Sequence, residues 1–268
     1  MKIFKSIKYY LGLYKLIIHN SVMSQMEYRF NFIMGMAVQF AFMIVKATYA
    51  IIVQRVGVSI DGVSPDQMML FIGTYSAMSG VYMSFFYLNF MSISGKVRGG
   101  TLDMVIVKPV STQFMVSLGH INIGYAVVSV PIGGAMIVMG WIRAGVPFDF
   151  MHVFGYIGLT LCGFALTYFL FLIPATLSFW LTSTSGMTTF TDMLWDFNNM
   201  PMLIYNQVIQ FVGLFILPIF VITNLGPLAA LDRISPMLIV WGIASPFVVG
   251  VVQRLIWKKA MKRYTSAS

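Results

Sequence analysis

Residues 96–114 read KVRGGTLDMVIVKPVSTQF, and the placing of this stretch decides the fold. It is the longest interruption of an apolar sequence that combines basic residues, paired glycines, an acid and a proline. The whole chain has 268 residues, of which 59% are hydrophobic and only 9% charged. Ordinary globular domains carry about 25% charged residues. A chain so poor in charge cannot cover a water-soluble core with polar surface, so the sequence belongs in a bilayer and residues 92–113 form an elbow between membrane helices.

Outward from the elbow, the apolar runs are long enough to cross a hydrocarbon core of about 30 Å, which takes roughly 20 residues. The expected spans are 30–53 and 68–91 before the elbow, then 115–141, 152–181, 207–222 and 237–256 after it. Residues 1–29 form an amino-terminal helix with Ile3, Phe4, Ile7, Leu11, Tyr14 and Ile18 on one side and Lys5, Lys8, Lys15 and His19 on a flanking arc. That pattern predicts a helix lying in the headgroup region. Lys46 interrupts the first span and is expected to snorkel to the interface; a charge lining a transport path is the sharper alternative. Pro131, Gly133 and Gly134 in the third span mark a kink or a close helix approach. Pro174 in the fourth marks a tilt or a break. Residues 182–206 read as a loop with a short amphipathic helix, and 224–236 as a re-entrant or interfacial hairpin.

The expected architecture is therefore an all-α integral membrane protein: a cytoplasmic or interfacial helix over 1–29, one six-helix domain over 30–256, and a basic tail over 257–268. Both termini and the elbow are expected in the cytoplasm. Lys2, Lys5, Lys8, Lys15, Arg29, Lys96, Arg98, Lys108, Arg254, Lys258, Lys259, Lys262 and Arg263 then lie inside, against only Lys46, Arg55, Arg143 and Arg233 outside. The expected location is the cell membrane.

Several function classes lose ground on composition. The net charge of +9 collects at the edges of apolar segments and is not interleaved with stacking aromatics, which argues against nucleic acid. Cys162 is the only cysteine, so neither a disulfide framework nor a zinc quartet is expected. His19, His120 and His152 are far apart, and Asp192 with Asp196 lacks a third ligand, so no metal site is expected. Gly99 and Gly100 lack the Lys-Ser/Thr of a phosphate-binding loop. No catalytic constellation emerges, and the chain is read as a non-enzyme.

Local chemistry gives the elbow a shape. Ser92, Ser94 and Gly95 release the second span, Lys96 and Arg98 fix it to the inner surface, and Gly99-Gly100 permit a sharp turn. Thr101 is expected to cap a short helix, with Asp103 in its first turn and Pro109 ending it. Such a rigid piece suits docking to a partner and passing on its movement.

Arg98, Gly100, Leu102, Asp103, Lys108, Pro109, Val110 and Ser111 form R-x-G-x-L-D-x-x-x-x-K-P-V-S, which resembles the signature of the ABC-2 type permeases, in particular six-span export permeases of about this length. The ending WKKAMKRYTSAS, with Tyr264, Ser266 and Ala267, and the run LPIFVITNLGPLAAL, with Pro218 and Pro227, are similar to that group too. Gly99 stands where the family often has an acidic residue. The resemblance implies a permease subunit of an exporter, dimeric with itself or a relative around the first, second and fifth spans. It implies no cofactor in this chain, with ATP and Mg held by a separate cytoplasmic ABC ATPase. It also implies that Lys96, Arg98, Gly99, Gly100, Leu102, Asp103, Lys108 and Pro109 form the coupling element. The substrate-contacting residues are not defined by it. The alternative is a partner-independent carrier or scaffold in membrane lipid, although a carrier would normally show mid-membrane carboxylates or unwound half-helices. A membrane enzyme is a weaker third reading.

Overall fold

The computed structural model describes residues 2–57, 59, 62–181 and 185–264. Readings that rest on the side chains of residues 2–7, on Asp61, on residues 182–184 or on Ser266 and Ala267 fall outside what it describes.

Every α-, 3-10 or π-helical element follows in one order: α1 (Lys2–Glu27), α2 (Arg29–Val56), α3 (Pro65–Tyr82), a π-helical turn (Met83–Tyr87), α4 (Leu88–Arg98), α5 (Asp103–Ile106), α6 (Thr112–Leu118), α7 (Ile123–Arg143), α8 (Phe150–Leu177) and α9 (Ser185–Asp196). Two short 3-10 turns lead to α10 (Gln207–Phe211), which passes through a second π-helical turn (Val212–Ile216). The chain ends with α11 (Phe220–Thr223), α12 (Leu225–Ala230) and α13 (Pro236–Arg263). Among the described residues, five helices are long and apolar enough to cross a membrane: α2, the continuous Pro65–Arg98, α7, α8 and α13.

The second span departs from expectation at its end. The helix runs on to Arg98, because Ser92, Ser94 and Gly95 do not release it. The Ser92 hydroxyl donates to the Asn89 carbonyl (2.7 Å) and accepts from Lys96 Nζ (3.0 Å), and Arg98 donates to Ser94 Oγ (2.9 Å). These bonds run along the helix surface and leave its backbone ladder intact. At its other end, Ser64 and Gln67 form a reciprocal capping box, with Pro65 at the first helical position.

The third span is broken where one helix was expected. α6 stops at Leu118 and α7 starts at Ile123. Buried non-helical backbone persists only if its amides and carbonyls find other partners, and here side chains supply them. Asn89 Nδ2 donates to the His120 carbonyl (2.6 Å), and the His120 amide donates back to Asn89 Oδ1 (3.0 Å). The Ile121 amide donates to Ser21 Oγ, while Gln25 donates to the Ile121 carbonyl and accepts from the Ile123 amide. The π-helical turn joins in: the Ser84 carbonyl accepts from the Asn122 amide and Ser84 Oγ from the Ala126 amide. A π-turn shifts the ladder and so frees groups for such use.

α3 and α7 form the closest seam of the bundle. A Cβ at Gly133 would lie 2.6 Å from the Ala77 amide nitrogen and 2.8 Å from the Gly73 carbonyl; a Cβ at Gly140 would lie 2.7 Å from the Leu70 amide nitrogen. Small residues let the two backbones touch, and dispersion contacts then hold helices together in lipid. Pro131 stays within a continuous α7, so of the sequence's two options at 131–134 the close approach is the one realised at Gly133.

The expected fifth span, 207–222, is also not one helix. It stops at Ile216, and at the elbow-distant side of this break the short helices α11 and α12 pack on α8 through Gly163 and Gly226. Phe220, Ile222, Leu225 and Leu228 are almost wholly buried there. The ten residues Gln207–Ile216 rise only about 15 Å, half of a bilayer core.

At the end of the bundle away from the elbow, Asp149 caps α8 by accepting from the His152 amide (2.9 Å) and lies 2.7 Å from His152 Nδ1; His152 Nε2 is 3.0 Å from Asp232. The clasp joins α8 to the turn before α13. The His152 amide, and then its imidazole, hold the Asp149 carboxyl below its ordinary 3.8. A carboxyl whose folded pKa is lowered adds stability above its unfolded value and loses that contribution as pH falls through the folded one. Wild type should thus unfold at a higher temperature than Asp149→Asn by a margin that is largest near pH 5, shrinks below about pH 4 as Asp149 protonates, and also falls as pH rises through the pKa of His152, which Asp149 and then Asp232 raise. A margin that vanishes as pH falls from neutral to about pH 5 would show that Asp149 is not its source.

Candidate functional site

The elbow starts where the Gly99 amide donates to the Gly95 carbonyl (2.8 Å) and closes the long helix. Gly100 follows at φ +69°, a conformation side chains rarely adopt, and this turns the chain back. The Leu102 amide then bonds the Lys96 carbonyl (3.2 Å), and its side chain is fully buried in the main core. α5 is a single turn. Its N-cap is Leu102 with no side-chain cap bond, so Thr101 does not cap it; the turn is held by the amide of Asp103 on Gly100 and by the buried Leu102. Pro109 lies beyond the helix end at Ile106.

The expected site residues divide by environment. Lys96 is half-buried and bonded to Ser92, whereas Arg98 is exposed and bonded to Ser94. Gly99 and Lys108 are exposed, as is Pro109. Asp103 is half-buried beside the Tyr264 hydroxyl at the end of α13; burial, and then that carboxylate, raise the Tyr264 phenol. Between these polar positions two apolar side chains stand out in the open: Met104 is 71% and Val107 81% exposed.

Struts from other elements fix the elbow. The Ser111 amide donates to the Tyr10 hydroxyl (3.2 Å), and the Tyr10 ring meets Phe114 edge-on at 5.0 Å, which ties the start of α6 to α1. Gln113 donates to Gln253 Oε1 (3.0 Å) and accepts from Arg254 (2.7 Å), tying α6 to α13. Ser117 and Tyr168 share a 2.9 Å hydrogen bond, tying α6 to α8.

Beside the elbow end, α4, α8 and α9 enclose a cavity of about 540 Å³, with Tyr82 and Phe171 among its aromatic lining and Ser94, Arg98, Ser178 and Thr191 among its polar lining. Trp195 of α9 stacks on Tyr82 (4.3 Å) and donates to Ser79 (3.1 Å), so α9 enters the bundle to the depth of the last turn of α3, midway along the continuous Pro65–Arg98 helix. Lys46 belongs to the same depth. It stands ten residues before Val56, about 15 Å along α2 from that end, and its ammonium lies 4.1 Å from the centre of the Tyr75 ring. This cation–π contact replaces the expected snorkel to the interface.

A family model described as ABC-2 family transporter protein matches residues 36–268. The chain belongs to the ABC-2 transporter family. No curated protein and no solved structure matched it. As an ABC-2 family member it is a multi-pass membrane transport protein, with several apolar helices of spanning length. Among the described residues, no group of three or more His, Cys, Asp or Glu could hold a metal ion.

Within this ABC-2 chain, the sequence singles out the elbow but neither what holds it, Tyr10, Gln113 and Gln253, nor what holds the α6–α7 break, Ser21, Gln25 and Asn89. The available signal was a set of amides and hydroxyls inside apolar segments. Polar groups in lipid-facing helices need partners, so each marks a contact whose other half lies elsewhere in the chain.

Proposed function

We propose that this protein is the permease subunit of an ABC exporter, paired with a second permease and driven by a separate cytoplasmic ATPase that binds ATP and Mg. The elbow, residues 96–111, receives the movement, and both termini share its side of the cell membrane. The observation that carries this reading is the build of α5: a single turn with Met104 and Val107 in the open, anchored by the fully buried Leu102 and fixed nearby to α1, α8 and α13. An exposed apolar pair on a rigid mount is the geometry of a docking knob. α9 and α10 together make the remaining, composite crossing. The 540 Å³ cavity beside the elbow is the inward part of the cargo path.

ATP binding favours one arrangement of the dimer only if the ATPase contacts differ between the two states, so the knob is where coupling fails first. Val107→Glu, and separately Asp103→Arg, should lower permease-stimulated ATP hydrolysis at least tenfold, equivalent to about 1.4 kcal/mol of lost interaction. Membrane insertion should be unchanged. If no ATPase copurifies with the wild-type protein, and the protein alone transports in liposomes, the partner-independent carrier replaces this reading.

A further inference from the structure

We propose that the groove between α6, α8 and α13 binds one anionic phospholipid from the leaflet at the elbow end, with its phosphate at Arg254 and Lys258 and an acyl chain along Phe169, Phe247 and Val251. The groove encloses about 900 Å³ and is apolar along nearly all of its length. Small residues open it: Ala165 on α8, and Gly250 on α13, where a Cβ would come within 3.3 Å of the Phe169 ring. Phe247 and Val251 are 71% and 62% exposed on a helix of membrane-spanning length, so the wall faces lipid.

Length and charge select the occupant. From Pro246 to Lys258 the helix rises about 18 Å, close to one leaflet of a hydrocarbon core about 30 Å thick. Both basic residues stand at the elbow end of that rise, where a headgroup would lie. Arg254 is held in place by its 2.7 Å bond to Gln113 Oε1, a neutral partner that orients the guanidinium without neutralising it. Among the described residues no carboxylate forms an ion pair with Arg254 or Lys258. A cation fixed at the head of an apolar groove is matched by a phosphate that carries its own hydrocarbon, and free phosphate would leave the wall unfilled. Gln113 belongs to α6, directly after the elbow, so the bound headgroup adds a partner to the strut that joins elbow and α13. This last consequence rests on the coupling role proposed above; the binding itself rests only on the groove.

Native mass spectrometry of the purified full chain in detergent, with phosphatidylglycerol or phosphatidylcholine added, tests the site. Wild type should retain phosphatidylglycerol in preference to phosphatidylcholine. Each charge removed, by Lys258→Gln or Arg254→Gln, should weaken retention about fivefold, and Gly250→Leu should weaken it with both charges present. Lys258→Gln and Gly250→Leu leave the Gln113 bond untouched and decide the matter should Arg254→Gln misfold. Equal retention of the two lipids, retention unchanged in the variants, or displacement of the lipid by inorganic phosphate alone would overturn the proposal. None of these readouts involves an ATPase, so a failure here is distinct from a failure of the coupling reading.

Discussion

Asn89→Leu should leave the protein inserted but sharply less stable, although the two side chains are similar in size. Asn89 pairs with His120 through two hydrogen bonds, donating at 2.6 Å and accepting at 3.0 Å, at a break where the backbone has no ladder of its own. Leucine strands one carbonyl and one amide. Each buried, unsatisfied group costs about 1–3 kcal/mol, so the pair is worth roughly 2–6 kcal/mol. The measurement is the fraction of monodisperse protein after a heating series in detergent. A leucine variant as heat-resistant as wild type would mean that the break is held by Ser21, Gln25 and Ser84 alone.

Gly133→Val should be comparably damaging, for a steric reason. The added Cβ meets the Ala77 amide nitrogen at 2.6 Å and the Gly73 carbonyl at 2.8 Å. Both are backbone atoms and cannot swing aside as a side-chain tip could. The α3–α7 seam must open, at a cost at or above the upper end of the roughly 1–3 kcal/mol typical of overpacking. Gly134→Val is the internal control: a Cβ there meets nothing within 4 Å, so its effect should stay within about 0.5 kcal/mol. Folded yield after detergent extraction separates the two. Equal yields would show that the seam is slack and that small residues do not set its spacing.

The contrast between these glycines shows how far the sequence could be read. Hydropathy finds residues 115–141 as a span and Pro131, Gly133 and Gly134 mark it as unusual, yet hydropathy counts residues without giving their direction, so Gly133 and Gly134 look alike. The spans around the elbow and the turn at Gly99-Gly100 were legible because their causes are local: apolar length and a positive φ at Gly100. The break at 119–122 was not. Residues 115–141 form an unremarkable apolar run, and what interrupts it is supplied by Ser21, Gln25, Ser84 and Asn89, which are distant in sequence. The same holds for the interruption at 217–219 in the expected fifth span. At the elbow, the sequence predicts a Thr101 cap, whereas the buried Leu102 takes the N-cap position with no side-chain cap bond. Lys46 was read by its place in the chain, and its Tyr75 partner lies on another helix.

The interruption between α6 and α7 has a mechanical consequence. A continuous helix resists bending along its whole length because every turn is bonded to the next. Here the rod is cut into two, and the joint is a handful of hydrogen bonds contributed by α1, α4 and the π-helical turn before α4. α6 therefore takes its position from α1, α8 and α13, while α7 takes its position from the close seam with α3. The break thus separates what sets the elbow side of the bundle from what sets the tight seam.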